Sequence, residues 1–223
     1  MNPDLPPDQA REQPNEAGAS IFGAETTAPD DIDRARADEY ALLASLLIAP
    51  PDNALLARLS YLSDSDDTPL GRAHIELARA AASSFADAVH REYFELFIGV
   101  GRGELLPYAS YYLTGFLNER PLARLRADMI RFGIERAEGR CEPEDHLGSV
   151  CEMMSGFACN RFSISGGEEQ DFFERHIEPW AGRFFSNLES AKAARFYRAV
   201  GTVGRLFIEI ESEGFAMEAR RSA

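Results

Sequence analysis

Lysine is almost missing from this chain of 223 residues: of its 23 basic side chains only Lys192 is a lysine, and the rest are arginines. Basic charge as a whole is scarce. Against 37 Asp and Glu the formal net charge is −14, which excludes a phosphate-binding surface of the kind nucleic acids require, because such a surface gathers Lys and Arg on one face. Cysteine is also rare. Cys141, Cys151 and Cys159 are odd in number and form no C-x-x-C pair, so neither a disulfide framework nor a zinc knuckle is expected, and all three read as free thiols. Long apolar runs are missing too: the longest, Tyr40 to Ala49, is far below the ~20 residues a membrane span needs. The N-terminus lacks a basic stretch followed by an apolar one, so no signal for secretion is expected and the cytoplasm is the default location.

No segment alternates apolar and polar residues in the manner of a strand, and no internal repeat is visible. What is present instead is helical spacing. Residues 1–31 hold five prolines, seven acids and one arginine, too little apolar surface to offset the entropy of ordering, and read as a disordered acidic tail. Residues 32–223 read as one all-α domain, a helical bundle of roughly nine helices. Leu42, Leu43, Leu46 and Leu47 make the first face, and a short helix follows Pro51 and Asp52. A long helix is expected through Ala78, Ala81, Phe85, Val89, Phe94 and Phe97 to Gly99. Others are expected over about Pro121–Ala137, Pro143–Phe157, Glu168–His176, from Pro179 onward, and over about Ala191–Glu211. Ser165-Gly166-Gly167 reads as a break. Trp180, the only tryptophan, reads as a packed helix junction.

Two stretches invite a chemical reading. Gly99-Val100-Gly101-Arg102-Gly103 closes a helix rather than opening one and lacks the Gly-Lys-Ser/Thr of a phosphate loop, so it reads as a flexible cap. Cys141-Glu142-Pro143-Glu144-Asp145-His146-Leu147-Gly148 places Pro and carboxylates where a helix would start. Neighbouring Asp145 and His146 would point about 100° apart on such a helix with no second His at i+3 or i+4, which disfavours a metal. No nucleophile elbow accompanies them. Recognition of a cationic peptide, with carboxylates beside aromatic residues, is the reading left. A small all-α metal- or nucleotide-dependent enzyme using the Glu142–His146 cluster, with His176 approaching by folding, stays open as the alternative.

Several blocks together resemble a known family. Tyr93-Phe94 with Leu96-Phe97-Ile98-Gly99, then Pro107-Tyr108 with Ser110 and Tyr112-Leu113, then Glu142-Pro143-Glu144-Asp145-His146-Leu147-Gly148 are similar to the TorD/DmsD group of molybdoenzyme maturation chaperones. So are Phe173, His176 and Pro179-Trp180, followed by Phe196-Tyr197-Arg198 and Phe207-Ile208-Glu209. The likeness runs over about residues 36–215. It implies an all-helical cytoplasmic chaperone without cofactor or catalytic residues, monomeric or dimeric, with no nucleic-acid partner and no stable membrane insertion. Its implied partners are the twin-arginine signal peptide and the apo form of a molybdopterin-dependent oxidoreductase, held until cofactor insertion and export. The implied signal-peptide-binding residues are Phe97, Gly99, Pro107, Tyr108, Ser110, Glu144, Asp145 and His146. The chain departs from the pattern at Tyr108, where some members carry another aromatic, and in its acidic tail.

Overall fold

The computed structural model describes residues 29–62, 65–136, 139, 142–162, 164 and 167–222. The expected tail thus falls, over residues 1–28, outside the described residues, as do Cys141 and Ser165-Gly166 of the expected break. Among the described residues there are ten α-helices and no strand. In chain order these are α1 (Asp31–Ile48), α2 (Asn53–Leu59), α3 (Pro69–Ala82), α4 (Ala86–Tyr93), α5 (Ala109–Thr114), α6 (Arg120–Arg131), α7 (Leu147–Ala158), α8 (Glu168–His176), α9 (Ala181–Ser190) and α10 (Phe196–Ser222). A π-helical turn, Phe94–Ile98, continues α4.

Local chemistry accounts for most boundaries. Asp30, Asp52 and Thr68 accept hydrogen bonds from the third residue onward and so cap α1, α2 and α3, with Pro69 pre-set for the first turn of α3. The long helix expected up to Gly99 is instead broken at Ser83–Phe85. The Ser83 and Ser84 hydroxyls donate back to the carbonyls of Arg79 and Ala80, which offers the chain an exit from the helix, and Phe85 is left exposed. α6 ends six residues before the expected Ala137, because Gly133 takes a left-handed φ of 65°. α7 begins at Leu147, not at Pro143: Pro143 to Asp145 form a turn. The last helix starts at Phe196, later than the expected Ala191, and runs on to Ser222.

Its start depends on a residue about a hundred positions upstream. Glu92, buried on α4, accepts the backbone N–H groups of Arg195 (2.7 Å), Phe196 (3.1 Å) and Tyr197 (2.7 Å), satisfying donors that the first turn of α10 leaves without intrahelical partners. In the same way Glu104 accepts the N–H groups of Lys192 and Ala193. The core between these layers is continuous. α1 packs along α7, and α10 packs against α9 and α3. Tyr40, Leu43, Leu47, Phe157, Phe172, Phe184, Phe185 and Tyr197 are all essentially inaccessible to solvent. Trp180 is a buried junction, as its sequence context implied, with Nε1 donating to the His176 carbonyl at 2.8 Å.

One polar knot crosses the core. Glu211 on α10 accepts two hydrogen bonds from Arg36 at 2.8 Å each and one from the Tyr40 hydroxyl at 2.9 Å, while Arg36 also reaches Glu169 at 2.6 Å. The bidentate fork ties α1, α8 and α10 together. Burial alone would lower the guanidinium's affinity for its proton, but the Glu211 and Glu169 carboxylates outweigh it and hold Arg36 firmly charged.

Candidate functional site

Two backbone hydrogen bonds assemble the site. Ala109 N–H donates to the Asp145 carbonyl (3.0 Å) and Leu147 N–H to the Pro107 carbonyl (2.8 Å), so Tyr108 and His146 face each other in an isolated antiparallel bridge. The Pro107-Tyr108 and Asp145-His146 blocks, far apart in sequence, are thereby adjacent. The π turn delivers the third wall. Gly99, at φ 63°, ends it, and the chain doubles back so that Leu105 N–H reaches the Leu96 carbonyl at 2.8 Å. The return is tight: a Cβ on Gly99 would lie 2.1 Å from the Arg102 carbonyl oxygen, and one on Gly103 would lie 2.5 Å from the Phe97 backbone carbon. The glycine loop is therefore a compact turn held against the helix end, not the flexible cap expected from the sequence.

These walls enclose a cleft of about 210 Å³ bounded by Ile48, Tyr93, Phe97, Ile98, Pro107, Tyr108, Glu142, His146 and Ser149. The Tyr93 hydroxyl donates toward the Leu47 and Ile48 carbonyls at the end of α1, at 3.1 and 3.0 Å. Burial and the Glu142 charge push its pKa up to about 12. The Tyr108 hydroxyl donates to the Glu142 carboxylate, and its pKa is also raised, by burial first and then by that carboxylate. Both tyrosines are therefore neutral hydrogen-bond donors at physiological pH. Ile98 is 54% exposed and Phe94 43%, so apolar surface continues from the cleft onto the outer face of the π turn.

The residues singled out from the sequence divide into two groups. Phe97, Pro107, Tyr108 and His146 line the cleft, and Gly99 makes the turn beside it. Asp145, Ser110 and Glu144 do not line it. A helix beginning at Pro143, as expected, would leave Asp145 and His146 in its first turn, open to solvent, and this is corrected: both precede α7 and are buried. Asp145 Oδ2 accepts the Ser110 N–H at 2.8 Å, so the carboxylate caps the start of α5 from another segment. His146 is the N-cap of α7, its Nδ1 accepting from Gly148 N–H at 3.1 Å, and its ring packs edge-on to Tyr108. Ser110 is buried in the first turn of α5, and among the described residues neither its Oγ nor Asp145 Oδ1 has a hydrogen-bond partner. Glu144 pairs with Arg126 at 2.8 Å and Arg136 at 3.6 Å. Partial burial acts upward on its pKa, yet the Arg126 hydrogen bond and both guanidinium charges hold it below the usual carboxylate range.

Ile48, Tyr93, Ile98, Glu142 and Ser149 are wall residues absent from the binding residues that the family resemblance implied. Tyr93 lies four residues before Phe97 and Ser149 three after His146, the spacings that share a helical face, so those two were within reach of a sequence argument. Ile48 comes from α1, and nothing local to it points to the cleft. His176, considered as a ligand for the Glu142–His146 cluster, instead meets Asp128 at 2.7 Å, with Arg175 on the same oxygen. Among the described residues no group of three or more His, Cys, Asp or Glu is placed to hold a metal ion, and no helix is long and apolar enough to cross a membrane. The arrangement offers, among the described residues, an aromatic hollow edged by one carboxylate.

Comparison with known proteins gives the chain's family. The model of the nitrate reductase delta subunit family matches residues 63–186, more than half of the chain. Chaperone protein TorD of Vibrio vulnificus (strain YJ016) is 30% identical over 167 residues, covering 72% of this chain and 66% of that one. The protein of the same name from Vibrio cholerae (strain M66-2) is 25% identical over 195 residues, covering 78% and 89%. In fold, the chain resembles a redox enzyme maturation protein of Archaeoglobus fulgidus, described as putative, with a TM-score of 0.52 and 20% identity over 86% of this chain and 98% of that one. The chain therefore belongs to the nitrate reductase delta subunit family, that of the TorD-like chaperones.

Proposed function

We propose that this TorD-type chaperone binds, in the cytoplasm, the twin-arginine signal peptide and apo form of a molybdopterin-dependent oxidoreductase, and holds them until cofactor insertion and export. Its role is binding, not turnover, in keeping with relatives named as chaperones. The observation that carries the reading is the cleft at the Tyr108–His146 bridge, where Ile48, Phe97, Ile98 and Pro107 present apolar surface and Glu142 presents a carboxylate at the rim. A twin-arginine signal offers the complementary pair: a basic dipeptide and then an apolar run. Phe97, Pro107, Tyr108 and His146 would touch the peptide. Gly99, Ser110 and Asp145 would shape the walls, and Glu144 would lie to the side, neutralised by its arginines.

Calorimetric titration with a synthetic peptide carrying an Arg-Arg pair and an apolar run tests this. Saturable one-to-one binding is expected, weakened when either the arginines or the apolar run is replaced by Gln and Ser. Lack of saturation at about 100 μM peptide, about ten times the Kd that corresponds to about 7 kcal/mol, would refute it.

A further inference from the structure

A second cleft, of about 220 Å³, lies across Glu142 and Ser149, which line both hollows. Its other walls are Met129 of α6, Ile134 and Glu135 of the α6–α7 connection, and Glu152 and Met153 of α7. The two hollows differ in charge. The first carries a single carboxylate, that of Glu142. The second is lined by Glu135, Glu142, Glu144 and Glu152 against Arg136 and Arg161. Even with Arg126 added at Glu144, carboxylates outnumber guanidiniums there among the described residues. Apolar floor remains beneath them in Met129, Met153 and Phe162, and such a floor suits the weakly hydrated faces of a guanidinium better than an ammonium.

Resting on the signal-peptide reading above, we infer that the bound peptide has a fixed direction: its arginine pair sits in the second cleft and its apolar run crosses the shared Glu142–Ser149 wall into the first. Spacing supports this. Ser149 stands about one helical turn from both His146 and Glu152, roughly 5 Å along α7, and an extended chain covers that distance in about two residues. An arginine and an apolar residue two positions later thus fall on opposite sides of the wall with their side chains on the same face. Adjacent side chains of an extended chain point to opposite faces, so only one arginine of the pair meets Glu142. The other turns toward Glu135 and Glu152, the remaining carboxylates of the second cleft outside the Glu144 ion pairs.

The experiment uses the full chain and the Arg-Arg peptide with a benzophenone photoprobe placed either just before the pair or within the apolar run. The first probe is expected to cross-link to Met129, Ile134, Met153 or Phe162, and the second to Ile48, Phe97 or Ile98. In parallel, Glu142→Gln is expected to lower affinity for the Arg-Arg peptide about three- to tenfold, the scale of a half-exposed charge-assisted contact, and to leave a Gln-Gln version of the peptide unchanged. Replacing the two arginines singly by Lys should give unequal losses. Exchanged cross-link patterns, both probes in one cleft, or equal loss for both peptides at Glu142→Gln would overturn the direction while leaving peptide binding intact. A wild-type chain that binds no peptide would overturn the underlying reading as well.

Discussion

Substitutions at Asp145 separate a wall-building role from direct contact with a guanidinium. The side chain is fully buried, and among the described residues its one hydrogen bond runs from Ser110 N–H to Oδ2 at 2.8 Å. Asp145→Ala removes that acceptor and leaves a buried N–H at the start of α5 without a partner, a loss of about 2–3 kcal/mol. For a chain of this size each kcal/mol moves the thermal midpoint by about 2–4 °C, so a fall of about 4–12 °C is expected. Asp145→Asn keeps the shape and one acceptor oxygen. It keeps the acceptor for the Ser110 N–H and changes only the atom at the Oδ1 position, which has no partner among the described residues, so its net change should stay within about 1 kcal/mol. Circular dichroism melts measure both variants, and calorimetry with the Arg-Arg peptide, well below the melting range, measures binding per folded molecule. Asp145→Asn should bind within about twofold of wild type, a loss of at most about a third of a decade, which is below what a direct ion pair contributes. A tenfold or greater loss at unchanged stability would show that the carboxylate receives a guanidinium itself, and the wall-building argument would fail.

Gly103→Ala should destabilise by about 1–3 kcal/mol in urea titrations, since its Cβ meets the Phe97 backbone at 2.5 Å and not a movable side chain; wild-type stability would mean the return loop is slack. Burial lowers the pKa of His176 against the opposing pull of Asp128, so the folded state binds fewer protons there than the unfolded one, and stability should fall as pH drops below about 6.5. Asp128 and Glu144, both held low despite partial burial, add losses of the same sign below about pH 4, whereas Glu169, raised by burial, works in the opposite sense. His176→Gln should flatten the slope between pH 5 and 7; an unchanged slope would exclude His176 as its source. Burial pushes the Cys151 thiol well above its usual range, so alkylation followed by peptide mapping should label the partly exposed Cys159 first, and equal rates would contradict the packing of α7.

The helices were legible where one stripe and one cap decide them. Asp52 and Thr68 announce their helices, and Glu168–His176 was recovered to the residue. Boundaries failed where the decisive group sits elsewhere in the chain. Nothing near Ala191 shows that Glu92 and Glu104 hold that segment out of the helix, and nothing near Pro143 shows that backbone pairing with Pro107 delays α7 to Leu147. The site shows the same division. Phe97, Pro107, Tyr108 and His146 were found as residue types in blocks, yet the sequence gives no sign of which carboxylate faces solvent. Asp145 and Glu142 look interchangeable on paper, and the bridge turns one inward and leaves the other at the rim.

The reliance of α10 on Glu92, and of α1 on Glu211, has a bearing on how the polypeptide comes to be made. The donors at the front of the last helix are satisfied by a carboxylate emerging about a hundred residues earlier, while in α1 the Tyr40 hydroxyl finds its acceptor, and Arg36 its two-pronged partner, in that same helix. During synthesis from the N-terminus, the Tyr40 hydroxyl waits for its acceptor, and Arg36 has, among the described residues, only Asp33 and later Glu169, until α10 has left the ribosome. Loop closure over such distances must precede the reward, so the two ends should become resistant to protease together, and a nascent chain stalled before Phe196 should expose the very helices that would otherwise form its core.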